Sequence, residues 1–295
     1  LAEQGIDIST GVLKLIFGSA NPQEVALAFL HSDQHDEEVN KKEAQKELCH
    51  LLQISFDIEL PVVQAPMAGV QGSALAIAVS NAGGLGSLPC AMLSADAMAA
   101  ELAALRAGTS KPFNVNFFCH AAPTPDERRE AAWRAQLGPY YDEFGIDAAA
   151  IPAGPGRAAF GVEAADAIDA FRPAVVSFHF GLPSAGLLAR VKSWGSKVLS
   201  SATTVDEARW LEAHGVDAVI AQGVEAGGHR GIFLGDDLTT QMGTFALVPQ
   251  VVRAVRVPVI AAGGIADAKG VAAAIALGAA GAQVGTAYML CPEAT

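Results

Sequence analysis

The fold is decided by residues 257–286, VPVIAAGGIADAKGVAAAIALGAAGAQVGT. The apolar run at its start ends on Gly263-Gly264. An alanine-rich stretch with helical spacing follows from Ala268 to Leu277, and a second apolar run ends on Gly285-Thr286. Short apolar runs bounded by glycine predict buried strands, and the stretch between them is long enough for a helical crossover. The segment is therefore predicted to be a strand–helix–strand unit with parallel strands.

The same alternation extends towards the N-terminus as far as residue 59. Further helices are predicted at Ser73–Asn81, Ala95–Ala107 and Val205–His214, between the apolar runs. These runs lack in/out alternation, which is typical of strands covered on both faces. Eight such units predict a (β/α)8 TIM barrel, with a doubly wound open sheet as the alternative. The eight predicted strands are Pro61–Gln64, Gly86–Leu88, Phe113–Phe118, Ala174–Phe180, Lys197–Ser200, Ala218–Gln222, Val257–Ala261 and Ala282–Val284.

The predicted domain organisation follows from two departures from this pattern. Residues 120–173, between the third and fourth strands, are predicted to be an inserted segment that covers a site or makes a small second domain. Residues 1–54 are predicted to be an N-terminal extension of unclear origin, because the first 58 residues hold ten acidic residues, four lysines and no arginine. The barrel domain is predicted at residues 55–295.

The barrel is expected to be truncated at its C-terminus. The sequence reaches Thr295 just after the eighth strand, so we expect the closing helix to be absent and apolar surface on the first and eighth strands to be left uncovered. The extension contains two apolar runs, 12–17 and 25–30, and we expect them to pack on that surface.

Composition and charge exclude several classes of protein. Hydrophobic residues make up 51% of the 295 residues and charged residues 17%, which excludes a disordered chain. The net charge of −12 is the wrong sign for a nucleic-acid partner. Four scattered cysteines without a CxxC pair argue against a metal site and for a reducing cytoplasm. Residues 60–95 and 270–292 carry no charge, but polar residues, Gly and Pro interrupt both, so no membrane span is predicted.

Glycines at the strand ends predict a phosphate site. Gly227-Gly228, Gly263-Gly264 and Gly285-Thr286 follow the sixth, seventh and eighth predicted strands, where barrels build their sites and bind phosphate through backbone N–H groups. Tight turns would explain any one of these pairs. Three neighbouring loops of this kind favour phosphate binding.

His179 is the candidate base. It ends a strongly apolar strand, and a buried neutral imidazole can accept a proton near pH 7. A core histidine with satisfied hydrogen bonds is the alternative, and the position at a strand's carboxyl end favours function.

Six strings, in this order, resemble the nitronate monooxygenases, formerly called 2-nitropropane dioxygenases, over about residues 55–294. The strings are QAPMAG (64–69), SNAGGLGSLP (80–89), SFHFGLP (177–183), QGVEAGGHRG (222–231), AAGGIAD (261–267) and GAQVGTAYMLCPEA (281–294).

The resemblance implies an FMN-binding barrel that oxidises alkyl nitronates with O2 to a carbonyl compound and nitrite, without NADH. It implies a role in detoxifying nitronates such as propionate 3-nitronate, His179 as the catalytic residue, and His229 and Arg230 as groups that place an anionic substrate. A homodimer is kept as an expectation for the assembly. The implied FMN-binding residues are Ala65, Pro66, Met67, Asn116, Gln222, Gly227, Gly228, Gly263, Gly264, Gln283, Val284, Gly285 and Thr286.

Two alternatives stay open at this point. One is an FMN-dependent reductase of the same barrel type that consumes NADH, such as an enoyl-thioester reductase. The other is a non-catalytic fragment that binds flavin or nothing, which the missing C-terminal part motivates.

Overall fold

Eight parallel strands form the centre of the chain. The computed structural model describes residues 46–295 except 48, 51, 123, 125 and 152–157. The expected packing of the apolar runs 12–17 and 25–30 therefore lies outside the described residues. The strands are β1 Val62–Gln64, β2 Gly86–Pro89, β3 Phe113–Phe118, β4 Val175–His179, β5 Lys197–Ala202, β6 Ala218–Gln222, β7 Val259–Ala262 and β8 Gly281–Val284.

The strands close into a barrel. Each strand from β2 to β7 pairs in parallel with the strand that follows it, and β8 pairs in parallel with β1. The Gln64 N–H donates to the Leu85 carbonyl, and the Leu85 N–H donates to the Val62 carbonyl, both at 2.9 Å, which joins β1 to the start of β2. A doubly wound sheet would leave two open edges, so the predicted (β/α)8 barrel is confirmed.

Helices follow the strands and cover the outside of the barrel. The helices are α1 Ser73–Asn81, α2 Ala95–Gly108, α3 Glu127–Phe144, α4 Val162–Asp169, α5 Ala185–Ser193, α6 Val205–Ala213, α7 Thr244–Ala254 and α8 Ala268–Ala276. Two 3-10 helices follow β6 and β8, at Leu238–Thr240 and Thr286–Leu290.

The segment between β3 and β4 contains two different helices. α4 buries Ala165 and Ile168 and lies between α2 and α5, so it takes the place of the barrel's own helix. α3 buries none of its side chains, and Trp133 and Phe144 on it are largely exposed. The additional element in this segment is therefore α3.

The barrel wall separates two apolar cores. In β4, Val176 and Phe178 face an outer core between strands and helices, whereas Val175 faces an inner core that fills the barrel. The helical stretch 52–56 contributes Leu52 and Phe56 to this inner core, at 0% and 3% exposure. This stretch closes the amino-terminal end of the barrel, and the domain boundary at 54/55 remains a prediction.

Apolar and polar side chains alternate along β3, whereas the sequence predicted strands without such alternation. Phe113, Val115 and Phe117 belong to the outer core, while Asn114 and Asn116 point inward and donate to the Ser177 hydroxyl, both at 2.9 Å. The alternation arises because the barrel interior changes from apolar at its amino-terminal end to polar near the carboxyl ends of the strands. A polar layer therefore lies directly under the site.

Candidate functional site

A cavity of about 550 Å³ opens at the carboxyl ends of the strands. Its volume lies within the range of small-molecule and cofactor pockets. Val284 is the exception among the residues predicted from the sequence, because its side chain is fully buried in the outer core. The predicted residues that line the cavity are Ala65, Pro66, Met67, Asn116, His179, Gln222, Gly227, Gly228, Gly263, Gly264, Gln283, Gly285 and Thr286.

The loop after β1 supplies an apolar wall. It is held by the buried side chain of Gln64, whose Oε1 accepts from the Ser87 N–H at 2.8 Å and whose Nε2 donates to Gln71 Oε1 at 2.5 Å. Gln71 Nε2 donates in turn to the Ser87 carbonyl at 2.6 Å. This network fixes Ala65, Pro66 and Met67 against the cavity.

The glycine loops form one edge of the cavity, and Gly227 and Gly228 leave open space there. A Cβ added at Gly228 would meet no described atom within 4 Å, and one added at Gly227 would meet Thr286 Oγ1 at 3.9 Å. Gly263 and Gly264 have φ values of 122° and 69°, a region that favours glycine. The 3-10 helix after β8 begins at Thr286, and the residue before it, Gly285, provides no side-chain cap. An anionic phosphate ester fits this edge of the cavity, and the residues present therefore fit FMN.

The loop after β6 is braced by two charged side chains. The Arg230 guanidinium donates to the carbonyls of Gly223 at 2.7 Å and Val224 at 3.0 Å, so it is turned back into its own loop. Glu225 accepts from the N–H and the hydroxyl of Thr244, both at 2.8 Å, at the start of α7. Burial alone would raise the pKa of Glu225. The bonds from Thr244, a bond from its own backbone N–H and the charge of Arg230 together hold that pKa below its usual value.

Arg230 is not among the cavity residues, whereas His229 is. The arrangement therefore gives Arg230 a bracing role instead of the substrate-placing role that the resemblance implied.

His179 lies at the end of β4 with both ring nitrogens in hydrogen bonds. Nδ1 lies 2.9 Å from Ser201 Oγ, and Nε2 lies 3.0 Å from the His229 carbonyl oxygen. Burial lowers the pKa of His179 from 6.5 to about 4, so the imidazole is neutral at pH 7. A neutral imidazole in the cavity wall is the form that a base requires.

Aromatic side chains pack around the imidazole of His179. The ring of Phe118 lies 5.9 Å from the ring of His179 and 5.2 Å from that of His229, measured between centroids. Phe180 packs edge-on against Phe118 at 5.4 Å and has a φ of 67°, which is unusual for a bulky residue. These rings shield the imidazole from bulk water.

Sequence reasoning missed several cavity residues, and the alternation of side chains along a strand would have found two of them. Ser177 lies two residues before His179, Phe118 lies two residues after Asn116, and Ser201 is the inward residue near the end of β5. Alternate residues of a strand share a face, so Ser177 and Phe118 follow from His179 and Asn116. Ser201 has no such neighbour, because no residue of β5 was predicted for the site.

Two kinds of structural feature are absent from the described residues. In the described part of the chain, no group of three or more His, Cys, Asp or Glu side chains is placed to hold a metal ion. None of the described helices combines the length and the apolar character that spanning a bilayer requires.

Comparison with known proteins gives consistent matches. A family model described as nitronate monooxygenase matches residues 50–295. The nitronate monooxygenase of Paraburkholderia phytofirmans is 47% identical over 244 residues, which are 80% of this chain and 65% of that protein. That of Pseudomonas aeruginosa is 44% identical over 246 residues, which are 81% of this chain and 68% of that protein. The chain thus spans about two thirds of the length of these relatives.

Solved structures agree with this result. A nitroalkane oxidase from Streptomyces ansochromogenes superposes with a TM-score of 0.74 at 40% identity, covering 83% of this chain and 69% of that one. FabK from Thermotoga maritima gives a TM-score of 0.61 at 32% identity, covering 83% and 63%. The family model covers most of the chain, and the relatives are well above 30% identical. The chain therefore belongs to the nitronate monooxygenase family, a flavin-dependent family of oxidoreductases.

Proposed function

We propose that this chain carries the site of a nitronate monooxygenase, which oxidises alkyl nitronates with O2 to a carbonyl compound and nitrite. The observation that carries the proposal is the single cavity in which the glycine loops after β6, β7 and β8 meet the imidazole of His179. Membership of the family and similarity to a nitroalkane oxidase support it. The physiological role that we propose is removal of toxic nitronates such as propionate 3-nitronate.

We propose FMN as the cofactor. When bound, it supplies the redox centre through which electrons pass from the nitronate to O2. The apolar wall of the cavity suits the flavin ring, with Asn116 and Gln222 as polar contacts, and the glycine loops suit its phosphate. Val284 contributes its backbone alone, because its side chain lies in the outer core. The residues assigned to the phosphate are Gly227, Gly228, Gly263, Gly264, Gln283, Val284, Gly285 and Thr286.

The chain's own residues prepare the reaction. Neutral His179 serves as the base for the α-proton of a neutral nitroalkane. Phe118 and Phe180 exclude water from the imidazole. Arg230 and Glu225 keep the loop after β6 in place under the cofactor phosphate.

Turnover of ethyl nitronate under air tests the proposal. We expect the purified protein to show flavin absorption, to consume O2 and to release nitrite without NADH. His179→Asn should lower turnover of neutral nitroethane by about a hundredfold, the lower range for loss of a general base. His50→Asn, a change at an exposed histidine, serves as the control. If His179→Asn leaves both neutral and anionic substrates untouched, the histidine has no catalytic part.

The same preparation separates the alternatives. Rapid NADH oxidation without nitronate turnover would support the NADH-dependent reductase. A colourless protein that does not take up FMN would contradict both enzyme functions and support a non-catalytic fragment.

We further propose a cytoplasmic protein whose small-molecule partners are a nitronate and O2, and a homodimer as its assembly. Sedimentation equilibrium of the flavin-loaded protein measures that assembly directly.

A further inference from the structure

The atom of His179 that can accept a proton is identified by its hydrogen bonds. Nε2 faces the His229 carbonyl oxygen at 3.0 Å, and Gln222 Nε2 donates to the same oxygen at 3.0 Å. A carbonyl oxygen can only accept, so Nε2 carries the hydrogen of the neutral ring. The lone pair of the imidazole is therefore on Nδ1.

Nδ1 is not open to a substrate in the cavity. Ser201 Oγ lies 2.9 Å from it and donates its hydrogen to the lone pair. Gly231 covers the same edge of the ring, because a Cβ added there would lie 3.2 Å from Nδ1 and 2.8 Å from Cε1. A substrate carbon therefore cannot reach Nδ1 without displacing Ser201 or Gly231.

Ser201 is placed between the cavity and the imidazole. It lies near the end of β5, where Ser201 and Ala202 pair with Ile220 and Ala221 of β6, so its backbone is fixed. It is only 6% exposed and is one of the residues that line the cavity. One face of the hydroxyl oxygen thus meets the substrate space, and its hydrogen meets Nδ1.

We propose that Ser201 relays the α-proton of a neutral nitroalkane to His179. The inference rests on the proposed function. The C–H bond breaks and its electron pair stays on the substrate, which becomes the nitronate. The proton passes to Ser201 Oγ while the original hydroxyl proton passes to Nδ1. Ser201 is a hydroxyl again, and the imidazolium keeps its Nε2–H bond to the His229 carbonyl.

Comparing two substrates isolates this step. Ethyl nitronate has already lost its α-proton, so the ratio of kcat/KM for nitroethane to kcat/KM for ethyl nitronate reports proton removal. In flavin-loaded Ser201→Ala we expect this ratio to fall at least tenfold. Ser200→Ala is the matched control, because Ser200 is the preceding residue, is also buried and donates to the Gly181 carbonyl instead. An unchanged ratio in Ser201→Ala, or an equal fall in Ser200→Ala, would overturn the relay.

A measurement independent of turnover tests the hydrogen bond itself. In protein with ¹⁵N-labelled histidine, with the His179 resonances assigned through His179→Asn, we expect the Nε2–H tautomer at pH 7. Ser201→Ala should shift the Nδ1 resonance, because its hydrogen bond is lost. The opposite tautomer, or an Nδ1 resonance that does not shift in Ser201→Ala, would refute the proposal. Wild-type protein that oxidises neither substrate would instead contradict the proposed function.

Discussion

At the scale of single residues, the protonation of His179 links the site to the stability of the fold. Burial is the main cause of its lowered pKa, the neighbouring charges of His229 and Arg230 lower it further, and the hydrogen bond to the His229 carbonyl opposes them. The folded chain therefore binds a proton at His179 less readily than the unfolded chain, whose histidine pKa is near 6.5. Stability that is present above pH 6.5 is lost as the pH falls towards about 4.

Comparing the wild type with His179→Asn isolates this loss. Between pH 6.5 and 4.5, we expect the free energy of unfolding of the wild type to fall by about 2 kcal/mol more than that of the variant. Urea denaturation at both pH values measures the difference, and the subtraction removes the contribution of the carboxylates common to both proteins. Parallel losses in the two proteins would show that His179 does not titrate as its burial implies.

The sequence predicted some residues of the cavity and not others for a physical reason. Gly263-Gly264 and His179 stand out because glycine pairs and a histidine are unusual at the end of an apolar strand. Ser201 and Phe118 belong to residue types that are common in any strand. Their roles depend on which face of the barrel wall they occupy, and that depends on strand register. The contacts of Arg230 could not be predicted, because the sequence does not show that its guanidinium donates to the carbonyls of its own loop.

At the scale of elements, Glu207 connects β5, α6 and the long loop after β6. Its carboxylate is 1% exposed and accepts from the N–H and hydroxyl of Thr203, both at 2.7 Å. The other oxygen accepts from the N–H groups of Phe233 at 2.7 Å and Leu234 at 3.2 Å. This loop carries His229 and Gly231, so a residue outside the cavity fixes the groups that surround His179.

Glu207→Gln should loosen this connection. The amide places a donor opposite N–H donors, and we expect the free energy of unfolding to fall by about 2–3 kcal/mol. Hydrogen exchange should accelerate at residues 231–236. Glu143→Gln, on the exposed face of α3, should change stability by less than about 0.5 kcal/mol. Equal effects of the two substitutions would contradict the role assigned to Glu207.

Element types were more predictable than their limits. Helix α1 was predicted at its observed bounds, because alanine-rich helical spacing between glycines is unambiguous. β5 runs two residues beyond its predicted end, since the backbone ladder to β6 continues through Ser201 and Ala202 regardless of side-chain polarity. α4 was not distinguished from the inserted segment, because membership of the barrel depends on its contacts with α2 and α5.

At the scale of the whole molecule, the stretch 52–56 holds the amino-terminal ends of the strands together. Leu52 packs directly against the start of β8, since a Cβ added at Gly281 would lie 2.6 Å from Leu52 Cδ2. The inner core to which it belongs contains residues from strands all round the barrel, among them Val63, Val175 and Ile260. Leu52 thus belongs to a core shared by strands that are far apart in the sequence.

Leu52→Ala should therefore destabilise the entire barrel. We expect a loss of about 3 kcal/mol, typical of a leucine removed from a packed core. Ile54→Ala, in the same stretch but 65% exposed, should cost far less. Chemical denaturation of both variants checks the comparison, and similar losses would show that burial of Leu52 does not secure the barrel.

The closure of the amino-terminal end by Leu52 and Phe56 also determines how small molecules reach the cavity. The amino-terminal end of the barrel is filled by apolar side chains, so small molecules reach the described cavity from the carboxyl ends of the strands. A molecule bound at the bottom of the cavity must enter before, and leave after, a molecule bound above it. A product that dissociates slowly from the entrance of the cavity would therefore delay binding of the next substrate as much as a slow chemical step would.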